Sequence, residues 1–557
     1  MKGELTMANN NNHSKNRRGN EENEEKRSSK KDKRISYNAY KSKPNDPSWY
    51  ETTPELTKAV TNFSFDTATG YAFGMGDLDD PMHGTSNPGI MTIAVSPTVG
   101  WATNPNSPVN NAAMHVYSFI RHENSGNKNY DPNDYFLYLL SYDGISMWLE
   151  FLKRVYGVAN TYHPHNEYFP RAVLTAMGIN AKDIIKHKPR LLTLINTTAL
   201  DLSLKKVPAY LPYGAKHRWL MEGVYQDANL AKAQVYAFVP EYIFEYDIDE
   251  DGAGCVVPKP FYSQALALGG YGIEELETFT QNLMDSFFRE EDLGVMSGDT
   301  MKAYGSNCYA PMGIESTYRV LPSYLPEVLD QIQNLTLMGG YDGATCRVVQ
   351  SEDKDYLVSK PEWRLPEEYR AGGRTPFMRE QFLNFEMAAV NHGNVAEATR
   401  MTNIASVYNE VENTIAATTI GSEVANYAVI WTFGYNENIG QFDLHRTPAI
   451  FTSFLAPIKA DSGHSLMGMI DADVVVNALQ PFMYDLSVLC QFDRHPQIYA
   501  TAYVSYPNPD DPETDVTKWV YARNFLGDLA NYYVIDRTEL ELLSTNALKA
   551  EFGLMTN

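Results

Sequence analysis

The chain has 557 residues, 43% of them hydrophobic, enough for three or four average domains or for one large body. Its four cysteines (Cys255, Cys308, Cys346 and Cys490) are far apart, which excludes a disulfide framework and a CxxC metal site. Residues 1–45 hold 12 Lys/Arg against 6 Asp/Glu, a net of +6; the whole chain carries −23, which leaves −29 on the remainder.

In chain order, residues 1–45 have too few apolar groups to offset their ordering entropy and are expected to be disordered. They contain no apolar h-region, which predicts a cytosolic, reducing compartment. Their basic side chains, Lys15, Arg17, Arg18, Lys26, Arg27, Lys30, Lys31, Lys33, Arg34, Lys41 and Lys43, are the candidate phosphate contacts. The densest group, Lys26 to Arg34, follows an acidic block of Glu21, Glu22, Glu24 and Glu25. Three readings fit such a segment: a nucleic-acid tether without sequence preference, a solubilising tail, or a nuclear import signal.

A body is expected from residue 46 to 557. Asn45 to Tyr50 reads as a turn followed by two aromatics, and Thr53-Pro54-Glu55 opens a short helix. A strand over 62–65, a glycine-rich loop and a buried strand over Ile90–Val95 follow. The stretch 131–157 then organises the rest. Asp131, Pro132 and Asp134 start a helix, Gly157 is its expected cap, and Phe136, Leu140, Met147, Phe151 and Val155 form one stripe. Leu137, Trp148 and Leu152 widen that stripe until the helix needs neighbours on nearly every side. Asp143, Glu150, Lys153 and Arg154 interrupt it, so it is not a membrane span. Helical spacing recurs over 168–177 and 189–206.

Residues 218–240 read as a short helix carrying a buried Trp219, a turn at Asp227, and a strand with Val235, Ala237 and Val239 on one face. Trp49, Tyr50, Arg218, Trp219, Asp227, Lys232, Ala233, Gln234 and Tyr236 together resemble the capsid proteins of picobirnaviruses and, more loosely, of partitiviruses. The resemblance covers two patches, about a fifth of the chain.

Downstream, 241–248 and 255–257 predict a hairpin around Asp249, and 273–289 and 325–335 predict amphipathic helices. Residues 351–376 are loop-like, which makes 240–376 the expected surface excursion. Further expectations are a helix over 377–390, a strand over 424–433, a core helix over 471–489 and an exposed turn over 507–515. A capping box, Thr538-x-x-Glu541, should open a last helix running to Phe552.

Catalytic and ligand motifs are incomplete. No phosphate loop GxxxxGK[ST] occurs, and Gly269-Gly270-Tyr271-Gly272 lacks the third glycine of a nucleotide turn. Asp247-x-Asp249-x-Asp251-Gly252 begins like an EF-hand loop, but Pro258 stands where the bidentate glutamate belongs. Ser465, between Gly463 and Gly468, has one residue too many for a nucleophile elbow. His163, His165 and Glu167 surround a proline unsuited to a metal site, and residues 76–80 contain no GDD, as a viral RNA polymerase would.

Two classes remain, a structural shell protein and a helix-rich soluble enzyme or scaffold with an unrecognised site. The residues predict an α+β, predominantly α-helical body around a long central helix, with no cofactor, no metal and no transmembrane segment. The resemblance implies the first class: a coat protein assembling through quasi-symmetric dimers into an icosahedral shell around double-stranded RNA. It further implies viral RNA and the viral RNA polymerase as partners, residence in the virion, and assembly in the host cytoplasm.

Overall fold

The computed structural model describes residues 53–56, 88–364 and 380–554, apart from 125, 127–129, 164–166, 229–232, 386–390, 392, 394, 397–405, 410–413, 418–420, 437–440, 452, 460–486, 509–510 and 527–528. The chain divides into two units, residues 1–67 and 68–557. In the first unit only 53–56 are described, and Pro54, Glu55 and Leu56 are helical. The expectations for 62–65, for the glycine-rich loop and for most of 471–489 fall outside the described residues.

The second unit is built on a mixed five-stranded sheet. Its centre is β1 (Ile90–Pro97), whose eight residues are all buried, as a near-continuous apolar run between two sheet neighbours requires. Six helices follow: α1 (Pro108–Glu123), α2 (Pro132–Ala159), α3 (Tyr168–Ala176), α4 (Ala181–Lys186), α5 (Lys188–Leu202) and α6 (Pro212–Glu222). Proline in the first turn opens α1, α2, α5 and α6, where its missing N–H costs nothing. Next come β2 (Tyr225–Gln226), β3 (Val235–Pro240), β4 (Tyr242–Ile248), β5 (Gly254–Pro260), α7 (Tyr262–Leu268), α8 (Ile273–Phe288), α9 (Glu291–Tyr304) and α10 (Pro326–Gln333). Short strands β6 (Gly340–Tyr341), β7 (Val349–Gln350), β8 (Leu357–Val358) and β9 (Trp363–Arg364) lead to β10 (Glu380–Phe385), β11 (Ser406–Asn409) and β12 (Thr414–Ala417). The chain ends through β13 (Glu423–Asn436), β14 (Gln441–Arg446), β15 (Ser453–Lys459), β16 (Ile498–Asn508), β17 (Asp511–Leu526), β18 (Asn531–Asp536) and α11 (Arg537–Glu551).

The central sheet has the order β14-β13-β1-β3-β2. β1 runs parallel to β3, with Ile93 beside Phe238, and antiparallel to β13, with Ile93 beside Ala428. Helices prevail between residues 108 and 333 and strands after 380, an α+β division.

α2 is 28 residues long, about 42 Å at 1.5 Å per residue. The Asp131 N–H donates to Asp134 Oδ2 at 3.0 Å, closing its N-terminus. Gly157 is not the cap. It lies inside the helix, where an added Cβ would stand 2.5 Å from Val320 Cγ2. Gly144 does the same for β4: a Cβ there would sit 2.3 Å from the Phe244 carbonyl oxygen. Both glycines let backbone approach the helix where no side chain fits. On another face, Trp148 packs among Phe151, Phe261 and Phe279, and its indole N–H donates to Thr280 Oγ1 at 2.8 Å.

The residues expected as an excursion, 240–376, contribute Tyr242, Ile243, Phe244, Leu276 and Leu283 to the same core as α2. Among the described residues of this range, the longest exposed stretch is 305–325, between α9 and α10. Two expected elements differ. Residues 377–390 have helical spacing, yet 380–385 form a strand that pairs antiparallel with β18, because Leu383 and Phe385 bury beside Ile535 and Leu540. The last helix starts at Asp536, whose Oδ1 accepts from Glu539 N–H at 2.8 Å, two residues before the expected Thr538. The 507–515 stretch joins two paired strands, with Pro507 opposite Asp515.

Candidate functional site

α6 carries the most distinctive chemistry of the described body. In Lys216-His217-Arg218-Trp219 the first two side chains face one way and the last two the other, because positions two apart on a helix differ by about 200°.

Lys216 and His217 point inward. His217 Nδ1 is 2.5 Å from Asp143 Oδ2 on α2, and Nε2 is 3.0 Å from the Ser422 carbonyl oxygen. With both ring nitrogens beside acceptors, the imidazolium is the form that satisfies the site. Burial opposes that charge, but the Asp143 carboxylate outweighs it and holds His217 above the usual histidine range. Lys216 Nζ lies 2.6 Å from both Glu423 on β13 and Glu551 on α11, with all three side chains nearly or wholly out of solvent. Here too burial works against the ammonium and the two carboxylates prevail, so Lys216 is raised. Burial alone would raise Glu551, but Lys216 brings it below the usual carboxylate range. Ser422 Oγ donates to Glu423 Oε2. The network therefore ties α2, α6, β13 and α11 together. Beside it, Tyr213 stacks on Phe552 at 5.2 Å, and Phe552 meets Phe136 of α2 at 5.5 Å.

Arg218 and Trp219 point outward into an open cleft of about 630 Å³, bounded by Glu150 and Lys153 of α2 and by residues 309–318. The Arg218 guanidinium lies 4.1 Å over the Tyr309 ring, and its Nη1 donates to Ser146 Oγ at 3.4 Å. Trp219 is half-buried on the cleft wall rather than in the core, where Leu220 and Met221 take the inner positions. Nearby, Arg154 is wholly buried and donates to the carbonyls of Gly223 and Phe238.

The other residues of the 218–240 stretch are structural. Asp227 accepts from Gln234 N–H at 3.0 Å, from Tyr236 OH at 3.4 Å and from Asp493 N–H at 3.3 Å, and burial raises its carboxyl. Tyr236 OH accepts from Arg494 N–H at 3.1 Å. Gln234 Oε1 takes the Gly89 N–H next to β1. Val235, Ala237 and Val239 are buried, but so are Tyr236 and Phe238, since β3 is covered on both faces. Lys232, Trp49 and Tyr50 lie outside the described residues, as do Lys15, Arg17, Arg18, Lys26, Arg27, Lys30, Lys31, Lys33, Arg34, Lys41 and Lys43.

Of the incomplete motifs, Asp249 turns its own hairpin: Oδ1 accepts from Asp251 N–H at 3.0 Å and Ala253 N–H at 2.7 Å. Gly269 and Gly270 take positive φ angles of 79° and 103° in the turn between α7 and α8. His165 and the Gly463–Gly468 stretch lie outside the described residues. Among the described residues no group of three or more His, Cys, Asp or Glu could hold a metal ion. No helix among them is long and apolar enough to cross a membrane.

Sequence reasoning missed the ionic network, whose members span 143 to 551. Its available signals were Asp143 in the middle of a helix that needs neighbours on nearly every side and two adjacent cations on a helix that must bury one face.

Comparison with known proteins places this arrangement. A solved structure titled "X-ray crystallographic structure of the picobirnavirus capsid" superposes with a TM-score of 0.69 at 18% identity, covering 92% of this chain and 99% of that one. At that identity the likeness concerns fold alone, and it defines the class: a viral capsid fold. In sequence, the capsid protein precursor of Human picobirnavirus (strain Human/Thailand/Hy005102/-) is 29% identical over 346 residues, 58% of this chain. The aligned part spans 61% of that relative's own length. The family described as "Picobirnavirus, Capsid protein" matches residues 49–511. The chain belongs to the picobirnavirus capsid protein family, which consists of structural proteins of double-stranded RNA virus particles and not of enzymes.

Proposed function

We propose that this chain is the coat subunit of such a particle, assembling through quasi-symmetric dimers into an icosahedral shell around double-stranded RNA. Residues 46–557 form the shell body. Residues 1–45 form a basic arm that faces the interior and meets RNA phosphates without sequence preference. The viral RNA polymerase is a further interior partner, and assembly takes place in the host cytoplasm. The observation that carries the reading is the family match over 49–511, which begins just beyond the basic segment. Charge supports the division of labour: +6 on the arm attracts phosphate, while −29 on the rest repels it and leaves the genome mobile. An arm of +6 recruits RNA rather than condensing it, so small cations neutralise most of the genome.

The test is size-exclusion chromatography and negative-stain microscopy of the purified chain. Uniform hollow spheres in the megadalton range are expected. A monomer at every pH and ionic strength tried would overturn the shell.

A further inference from the structure

The described body shows eighteen exposed large hydrophobic side chains, and seven of them gather on or beside one segment. Residues 305–325 contribute Met312, Leu321, Tyr324 and Leu325, exposed by 76, 65, 42 and 40%. The helix and turn that this segment lies on contribute Leu200, Leu204 and Tyr210.

Backbone and side-chain hydrogen bonds hold the two parts together. Ile314 N–H donates to Asn196 Oδ1 at 2.8 Å, and Asn196 Nδ2 donates to the Ile314 carbonyl at 3.1 Å. Leu200 stands one turn along α5 from Asn196, on the same face, and Leu204 lies in the turn just after the helix. Ala209 N–H donates to the Asn307 carbonyl at 2.8 Å, and Tyr309 N–H to the Val207 carbonyl at 2.9 Å, which sets Tyr210 beside the start of the segment. The cleft with Arg218, Trp219, Tyr309 and Tyr318 opens within this face.

We propose that this face, residues 305–325 with the outer edge of α5 and with Arg218 and Trp219 in its cleft, binds a second copy of the same chain. The inference rests on the shell reading and deepens it by naming where subunits meet. Charge selects the occupant. Two bodies of −29 repel, so they associate best where charge is balanced: residues 305–325 carry only Glu315 and Arg319, which cancel, and in the cleft Arg218 and Lys153 offset Glu150 and Glu222. Area agrees: the seven side chains together expose on the order of 800 Å², what one partner gives to a standard interface. The residue types agree as well, since tryptophan, tyrosine and arginine dominate binding energy while lysine and aspartate are depleted from interface centres.

The test compares the full-length chain with the pair Met312→Glu/Leu321→Glu and with Leu268→Glu, which is 70% exposed at the end of α7. Particle yield is read by size-exclusion chromatography, and folding by circular dichroism and thermal melting. The pair should fold as the parent does and lose particles by about tenfold or more, because each carboxylate would be buried without a partner. Leu268→Glu should assemble normally. Undiminished particles from the pair, or equal loss from Leu268→Glu, would overturn the assignment. Absence of particles from the parent chain would defeat the shell reading itself. If the pair does not fold, hydrogen exchange on the parent decides: peptides from 305–325 should exchange more slowly in particles than in dissociated subunits. Equal exchange in the two states would overturn the proposal.

Discussion

Two tryptophans show how much a residue's position on its helix matters. Trp148 is enclosed by three phenylalanines and hydrogen-bonded to Thr280, so Trp148→Ala should cost about 3–5 kcal/mol in a urea unfolding experiment. Trp219 stands on the cleft wall, partly exposed, and packs against the core with one side only. Trp219→Ala should cost about 1–2 kcal/mol, clearly less than the first; equal costs would place Trp219 in the core after all. Lys216 offers a sharper case. Lys216→Met would leave Glu423 and Glu551 buried against each other, with an expected loss of about 3–5 kcal/mol. Adding Glu551→Gln to it should recover part of that loss. A neutral Lys216→Met would mean that the pair is dispensable.

At the scale of elements, the network makes the attachment of α6 to β13 and α2 depend on pH. His217 is raised above 6.5 in the folded chain, so its contribution is complete below 6.5 and fades as pH rises through the folded value. Glu551 is lowered, so its contribution is complete above 4.5 and fades as pH falls through its folded value. The melting temperature should therefore decline as pH rises above 6.5, and His217→Asn should flatten that decline while lowering the starting point. An unchanged slope in the variant would assign the dependence to other groups. Elements were legible where local signals agreed: α2, the β4–β5 hairpin, α8 and β13 follow from caps, turn residues and periodicity. They were illegible where distant partners decide. Residues 380–385 are a strand because β18 lies alongside, which no local spacing reveals. Likewise both Asp536 and Thr538 precede a glutamate by three, and only the packing of the strand before them selects Asp536. Gly157 looked like a helix end because the residue that needs its missing side chain, Val320, is 163 positions away.

For the whole molecule, the separation of charge between residues 1–45 and the rest gives the most direct test of genome contact. Deleting residues 1–45 should leave particle formation intact and reduce RNA content, measured as the 260/280 nm absorbance ratio and as extracted RNA. Replacing Lys26, Arg27, Lys30, Lys31, Lys33 and Arg34 by Ser should have the same effect. If about five of these charges meet phosphates, the log–log salt dependence of binding has a slope near −4, using roughly −0.9 per contact as for duplex DNA. The substitutions should flatten it. Equal RNA in deleted and full-length particles would leave the arm a solubilising tail.

The central position of β1 has a consequence for synthesis. One partner, β3, is reached after about 145 further residues, but the other, β13, pairs Ile93 with Ala428. At about 5–20 residues per second, a ribosome needs roughly twenty seconds to a minute to cover that interval. Throughout it the first 45 residues are already outside the ribosome while the sheet still lacks a neighbour for its middle strand. Nascent chains stopped near residue 400 therefore cannot close the sheet, and the fold is completed only long after residues 1–45 have been synthesised.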